Sequence, residues 1–305
     1  MGDVSRARTR VATGGSPIAT ASTSHVPGAP SASPRRARRR LVPLLVASLT
    51  LIASLGTLPG PVSATTTTSA ATSTSMGASV RTWINRDRVA RGLVPLRNWT
   101  SLEALATQRA GRMAASGKLS HDAAGGDVGR ALTARGIQWY GFGEIIGAST
   151  YPWGTQAANN IYSLWKASSP HRSIMFSSRY NYMGVGFAYR AATRTTFASM
   201  VFTESTDHTR PSASNGPLVL SGTTVTFSWS GYDPRLQTHT AGLRSFDVQY
   251  RVDGGDWRLI RNDTTGTSLS LTGRLPGHSY SFRVQAADRR GNLSAWTTER
   301  TALVR

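Results

Sequence analysis

The chain has 305 residues, long enough for two ordinary domains. Hydrophobic residues make up 39% and charged residues 16%, which excludes a chain disordered throughout. With no cysteine there is neither a disulfide framework nor a thiolate metal site. The formal net charge is +20, and nearly all the cations are arginines, with lysine only at 118 and 166. Residues 1–64 hold eight Arg and one Asp, and the rest carries 27 basic and 14 acidic groups, a net +13. Such a surface favours anionic partners. The arginines are scattered, however, and no dense basic run interleaved with aromatics follows residue 40, so nucleic acid is not an expected partner.

PRRARRRLVPLLVASLTLIASLGTLPGPVSA, residues 34–64, has a cluster of five arginines, an apolar run and a small-residue ending. That is the three-part pattern of a secretory signal, with cleavage expected near Ala64. The other reading is an uncleaved anchor over 41–58, and a membrane contact is expected only through that segment. Either way the remainder is expected outside the cytoplasm, secreted or held at the cell surface. The Thr/Ser/Ala tract of residues 65–78 reads as a flexible linker.

From residue 79 the pattern is that of a folded domain. Val80, Trp83, Ile84 and Val89 predict a helix that Gly92 ends. Leu102, Leu105, Ala106, Arg109, Ala110 and Met113 predict a second helix from about Ser101, closed at 116–118. GFGEIIGAS (141–149) reads as a strand after a glycine turn. AANNIYSLWKAS (157–168) reads as a third helix that stops at Ser-Pro. YMGVGFAYR (182–190) and TTFASMVFTES (195–205) read as paired strands. Helices and strands mix without a βαβ repeat, which points to α+β.

INRDRVARGLVPL, KLSHD, GFGEII, WKASSPHRSIMF and YNYMGVGFAY, in this order, resemble the bacterial branch of the CAP superfamily, the SCP/PR-1-like proteins. The resemblance covers residues 79–207 and implies an α-β-α sandwich. It also implies a cleft in which His121, Glu144 and His171 converge, as candidate catalytic groups or as a metal set. Two imidazoles and a carboxylate are the donors Zn²⁺ takes, so Zn is the cofactor such a set would hold. The same groups serve equally as acid, base or hydrogen-bond anchors. Two positions depart from the family pattern: Ser168 stands where a second glutamate is common, and Ile145 where an asparagine follows the cleft glutamate. Asp122 and Glu204 are further acids that no motif places in the cleft. Trp139, Tyr140, Phe142 and Trp153, on either side of Glu144, are candidates to line an apolar groove.

After the polar boundary at 207–217 the period changes to two. TVTFSWS (224–230), FDVQYRV (246–252) and the strands around Tyr280, Phe282, Val284 and Ala286 alternate, with a DGG turn at 253–255. Short strands at this spacing predict a β-sandwich. Residues 216–305 resemble a fibronectin type III domain, which implies Trp229 in the core, Tyr280 anchoring an adjoining loop, and a spacer or adhesive role. His239 and His278 fall in loops and are expected in solvent. The expected function is a secreted or surface CAP-domain protein whose His/Glu cleft binds an extracellular ligand (a lipid, an anionic wall polymer or a peptide), presented by the second module. A metal-assisted extracellular hydrolase and an adhesion protein with a vestigial cleft are the alternatives.

Overall fold

Met76, Val80 and Ile84 repeat at a spacing of four, and one apolar stripe of that kind needs a partner surface. In the computed structural model, which describes residues 19–24 and 63–305, these three are fully buried on helix α1 (Ser63–Val89). The tract expected as a flexible linker is thus the first part of a helix. Ser75 Oγ donates to the Thr72 carbonyl (3.0 Å) and Ser73 Oγ to the Phe187 carbonyl (3.4 Å), while Met76 packs into the core. The arginine cluster and the apolar run of the expected signal lie outside the described residues, and Ala64 falls in the first turn of α1. Among the described residues no helix is long and apolar enough to cross a membrane.

The first domain is a five-stranded sheet between two layers of helix. Its strands are β1 (Ala19–Ser24), β2 (Arg97–Asn98), β3 (Gly141–Ser149), β4 (Tyr182–Arg190) and β5 (Thr195–Glu204), in the order β1-β3-β5-β4-β2. β4 and β5 form the expected antiparallel pair, β3 runs antiparallel to β5, and the short β2 runs parallel to β4. Helices α2 (Thr100–Ser116) and α3 (Val128–Thr133) cover one face, where Leu102, Leu105 and Leu132 meet Phe142 and Val201. Helices α1, α4 (Thr155–Ala167) and α5 (Ser169–Met175) cover the other, where Ile84, Ile161, Trp165 and Ile174 meet Ile145, Val185 and Met200. Asp87 ties α1 to α4, accepting from Tyr162 Oη (2.8 Å) and Lys166 Nζ (2.6 Å). As Ser-Pro predicts, α4 stops at Ser168. Pro170 then opens α5, because its fixed φ and missing N–H suit a first helical turn. α2 lies so close to β4 that Gly184 and Gly186 face helix backbone directly.

The second domain packs a three-stranded sheet, β10 (Ser268–Leu271), β7 (Thr224–Tyr232) and β6 (Ser212–Ser221), on a four-stranded one. The latter runs in the order β12 (Arg300–Leu303), β11 (Ser279–Asp288), β8 (Leu243–Val252) and β9 (Arg258–Thr264). The alternation read from sequence sends Val225, Phe227 and Trp229 inward against Tyr280, Phe282 and Val284, with the Phe227 and Phe282 rings stacked at 5.2 Å. Tyr280 Oη accepts from Leu275 N (3.2 Å), the loop anchor the resemblance implies.

The two domains touch through the loop at residues 233–242, between β7 and β8. Leu236, 2% exposed, joins the cluster built by Leu102, Leu105 and Val201 of the first domain. Val94 N donates to Gln237 Oε1 (2.8 Å), Asn181 Nδ2 to the Thr238 carbonyl (3.1 Å), and Ala241 N to Asp207 Oδ2 (2.8 Å). His239 is exposed, as expected, with its ring tilted toward Tyr140 at 4.7 Å between centroids and paired with Glu204 (3.1 Å).

At this junction Asp207, Asp233 and Asp288 bring carboxylate oxygens within 4.8 Å of one another. Burial raises the Asp233 carboxyl above its usual range, and Asp207 and Asp288 add to that. The Gly242 N–H and Arg97 offset only part of it. A carboxyl raised in the fold gives up its proton sooner when unfolded, so stability is lost as pH rises from the ordinary carboxylate range through the raised value. Asp233→Asn keeps an acceptor for Gly242 N and removes one negative charge. Its expected result is a melting temperature higher than that of the native chain at pH 7. The gain should shrink toward zero as the native Asp233 protonates at low pH, and thermal melts across pH check it.

Candidate functional site

The site starts from a charge in the wrong place. Arg109 occupies a position in the apolar stripe of α2 and is fully buried, where an unpaired guanidinium would be prohibitively costly. Its partner is Glu144, 1% exposed, in the middle of β3. Period-two alternation sends Phe142, Glu144 and Ile146 toward α2 and leaves Gly143 and Ile145 toward α4 and α5. The contact is a two-pronged fork, with Arg109 Nε to Oε1 at 2.5 Å and Nη2 to Oε2 at 2.7 Å.

α2 ends at Gly117, which takes φ 71° and donates to the Met113 carbonyl. The chain then turns back through residues 118–127. Arg109 Nη2 also donates to the Gly126 carbonyl (2.8 Å), pinning that turn to the helix, and Asp127 caps α3 by accepting from Arg130 N (2.7 Å). His121 is thereby set over Glu144, with Nδ1 2.7 Å from Oε2. An ionised carboxylate only accepts, so Nδ1 carries the proton, and in the neutral form of the ring Nε2 keeps its lone pair. Nε2 is buried and has no hydrogen-bond partner among the described residues. Ser199 Oγ on β5 donates the fourth bond to Glu144, to Oε1 at 2.7 Å. Burial alone would push the Glu144 carboxyl up. The hydrogen bonds from His121, Arg109 and Ser199 and the Arg109 charge outweigh burial and hold it below the usual carboxylate range.

Two adjoining cavities open here. A polar one of about 230 Å³ is lined by His121, Asp122, Asp127, Phe142 and Glu144 among others. A wider, mainly apolar one of about 620 Å³ lies along α3 against Ala134, Trp139 and Phe142. Asp127 and Phe142 belong to both. Of the four aromatics that flank Glu144, Trp139 and Phe142 line this groove, whereas Tyr140 meets His239 and Trp153 packs near Tyr189. Asp122 reaches the polar cavity, and Glu204 instead pairs with Arg179 and His239.

The structure joins His121 to Glu144 and places His171 elsewhere. His171 is 2% exposed on α5, and α5 packs on the face of β3 that carries Gly143 and Ile145, opposite to the Glu144 face. Among the described residues the only trio of His, Asp and Glu donors within 4.8 Å of one another is Asp207, Asp233 and Asp288. Glu144 also lacks what a Zn²⁺ ligand needs. Each of its oxygens already accepts two hydrogen bonds, and a fixed guanidinium stands where a metal would add a second cation. The carboxylate fits the part of an orienter for His121. Ser168, in place of a second glutamate, joins α4 to α5, and Ile145 fills the core where the family pattern has a polar group. Arg109 and Ser199 are the site residues that the motifs passed over. A charged residue inside the Leu102–Met113 apolar repeat was the signal for the first, and Ser199 gave none.

A three-layer α-β-α domain that holds a buried His–Glu–Arg cluster is followed by a seven-stranded β-sandwich. Residues 82–202 match the sequence model of the cysteine-rich secretory protein family, and this part of the chain is a CAP domain. Two similar solved structures are a cysteine-rich secretory protein from Staphylococcus aureus (20% identity over 47% of this chain and 40% of that one, TM-score 0.35) and an extracellular SCP-domain protein from Bacillus anthracis (20%, 48% and 45%, TM-score 0.40). The chain spans less than half the length of either. The second domain is similar to an Fn3-like protein from Clostridium thermocellum, at 24% identity over 30% of this chain and 84% of that one, with a TM-score of 0.22.

Proposed function

We propose that this protein works outside the cell as a ligand-binding CAP domain, with the fibronectin type III-like domain docked against it as its presenting module. The observation that carries the reading is His121 Nε2, an acceptor held at the wall of a polar cavity by a carboxylate that is itself fully hydrogen-bonded. A buried acceptor without a partner is costly, so a ligand that donates a hydrogen bond to it gains affinity. The adjoining groove along α3 offers Trp139 and Phe142 to an apolar portion of the same ligand. The polar cavity carries Asp122 and Asp127 and the groove carries Arg130, so the two together suit a ligand with a hydrogen-bond donor end and an apolar end. Peptides meet both requirements.

The test is calorimetric titration with a library of short amphipathic peptides, run on the native chain and on His121→Ala. A selected peptide should bind His121→Ala roughly tenfold more weakly, or about 1.4 kcal/mol. Equal affinity for both proteins would remove His121 from the binding site. Cleavage of the peptides by the native chain but not by His121→Ala would instead make the ring a catalytic base.

A further inference from the structure

β3 reads GFGEIIGAS, with no lysine and no proline, the residues that usually keep an edge strand from pairing with foreign backbone. β5 covers one side of it. The other side is covered by β1, antiparallel and in unbroken register from Ala19 opposite Gly147 to Ser24 opposite Phe142. All nine β3 residues are buried in this arrangement. Ser22 lies opposite Glu144, so the added strand runs alongside the His121–Glu144 pair.

β1 cannot keep that place in an exported molecule. Between it and α1 lie the arginine cluster and the apolar run of the leader. A leader inserts with its arginines on the cytoplasmic side, and everything before them stays there. Residues 19–24 and the CAP domain then stand on opposite sides of the membrane, and the outer ladder of β3 is open. We propose that this edge is a peptide-binding site that takes an extended, antiparallel polypeptide segment by strand addition, with main-chain hydrogen bonds supplying the affinity. The six residues of β1 are all Ala, Ser or Thr, and this sets the class of segment that fits: six or so small residues in extended conformation. The inference rests on the reading of the CAP domain as an extracellular ligand binder and names its ligand class as polypeptide.

The test uses the full chain and a labelled peptide with the sequence of residues 17–26. Ala21→Pro with Thr23→Pro removes two main-chain donors from β1 and opens the edge. In the native chain, amides of residues 141–149 should exchange slowly and the peptide should not bind. In the double variant their exchange should rise at least tenfold, and the peptide should bind saturably and restore protection. The same peptide with proline at those two positions should do neither. Unchanged protection in the variant, no binding up to millimolar peptide, or equal binding by the proline peptide would overturn the proposal. If the double variant does not fold, an otherwise native chain with a protease site inserted after Gly28 gives the answer. After cleavage, residues 1–28 should stay with the domain until excess peptide displaces them. Release without competitor, or retention against it, would overturn the proposal equally. His121-dependent binding that persists while the edge peptide fails would leave the cleft reading standing and remove only this one.

Discussion

Arg109→Ala is expected to cost about 3–5 kcal/mol, because it strands a buried carboxylate without its counter-charge. Both partners are almost fully enclosed, with side-chain exposures of 0% and 2%. The same change frees the 118–127 turn, since Arg109 also holds the Gly126 carbonyl. Urea unfolding at pH 7 measures the loss. Adding Glu144→Gln should recover part of it, because a neutral amide is cheaper to bury than an orphaned charge. The pH dependence carries a sign of its own. The Glu144 carboxyl lies below its usual range, so its contribution is complete above the ordinary carboxylate range and is lost as pH falls through the lowered value. Glu144→Gln should therefore be less stable than the native chain at pH 7, and the gap should narrow in acid. A loss under about 1 kcal/mol for Arg109→Ala would mean that the fork does not anchor the site.

Gly186→Ala should be nearly as damaging by a different route. A Cβ built there would come within 2.1 Å of Thr107 N and 2.3 Å of Thr107 Cα, both backbone atoms of α2, which cannot swing aside as a side chain can. Gly184 meets Leu102 and Glu103 backbone at 2.2 Å in the same way. The helix must lift from β4, and over-packing of this severity costs at least about 3 kcal/mol. For a chain of this size that lowers the melting temperature by roughly 5 °C. The lift would also move Arg109 on the same helix, and with it the Glu144 carboxylate that Arg109 holds. An unchanged melting temperature would show that α2 and β4 are less tightly joined than their spacing implies.

Period and punctuation made most of the fold legible in the sequence. Leu102 to Met113 repeat at three and four and form α2, and Tyr280 to Ala286 alternate and form β11. The Thr/Ser tract before residue 79 misled because its composition resembles a linker. Met76 there continues the buried stripe of Val80 and Ile84. The site was legible in part. His121 and Glu144 were marked by motif, and their 2.7 Å contact joins residues 23 apart in sequence. His171 was drawn to them by the same motif logic. The face of β3 that a helix covers depends on the parity of its contacts along the strand, and spacing in the chain carries no trace of that. Leu236 was equally invisible, since a leucine in a loop of one module gives no sign that it completes the core of another.

Because Leu236 is seated among residues of the α-β-α sandwich, the joint between the modules is a piece of shared interior. A partner that gripped the β-sandwich would therefore also set the direction in which the mouth above His121 points. A pull on one end of the molecule would be felt at the other as a change in aim.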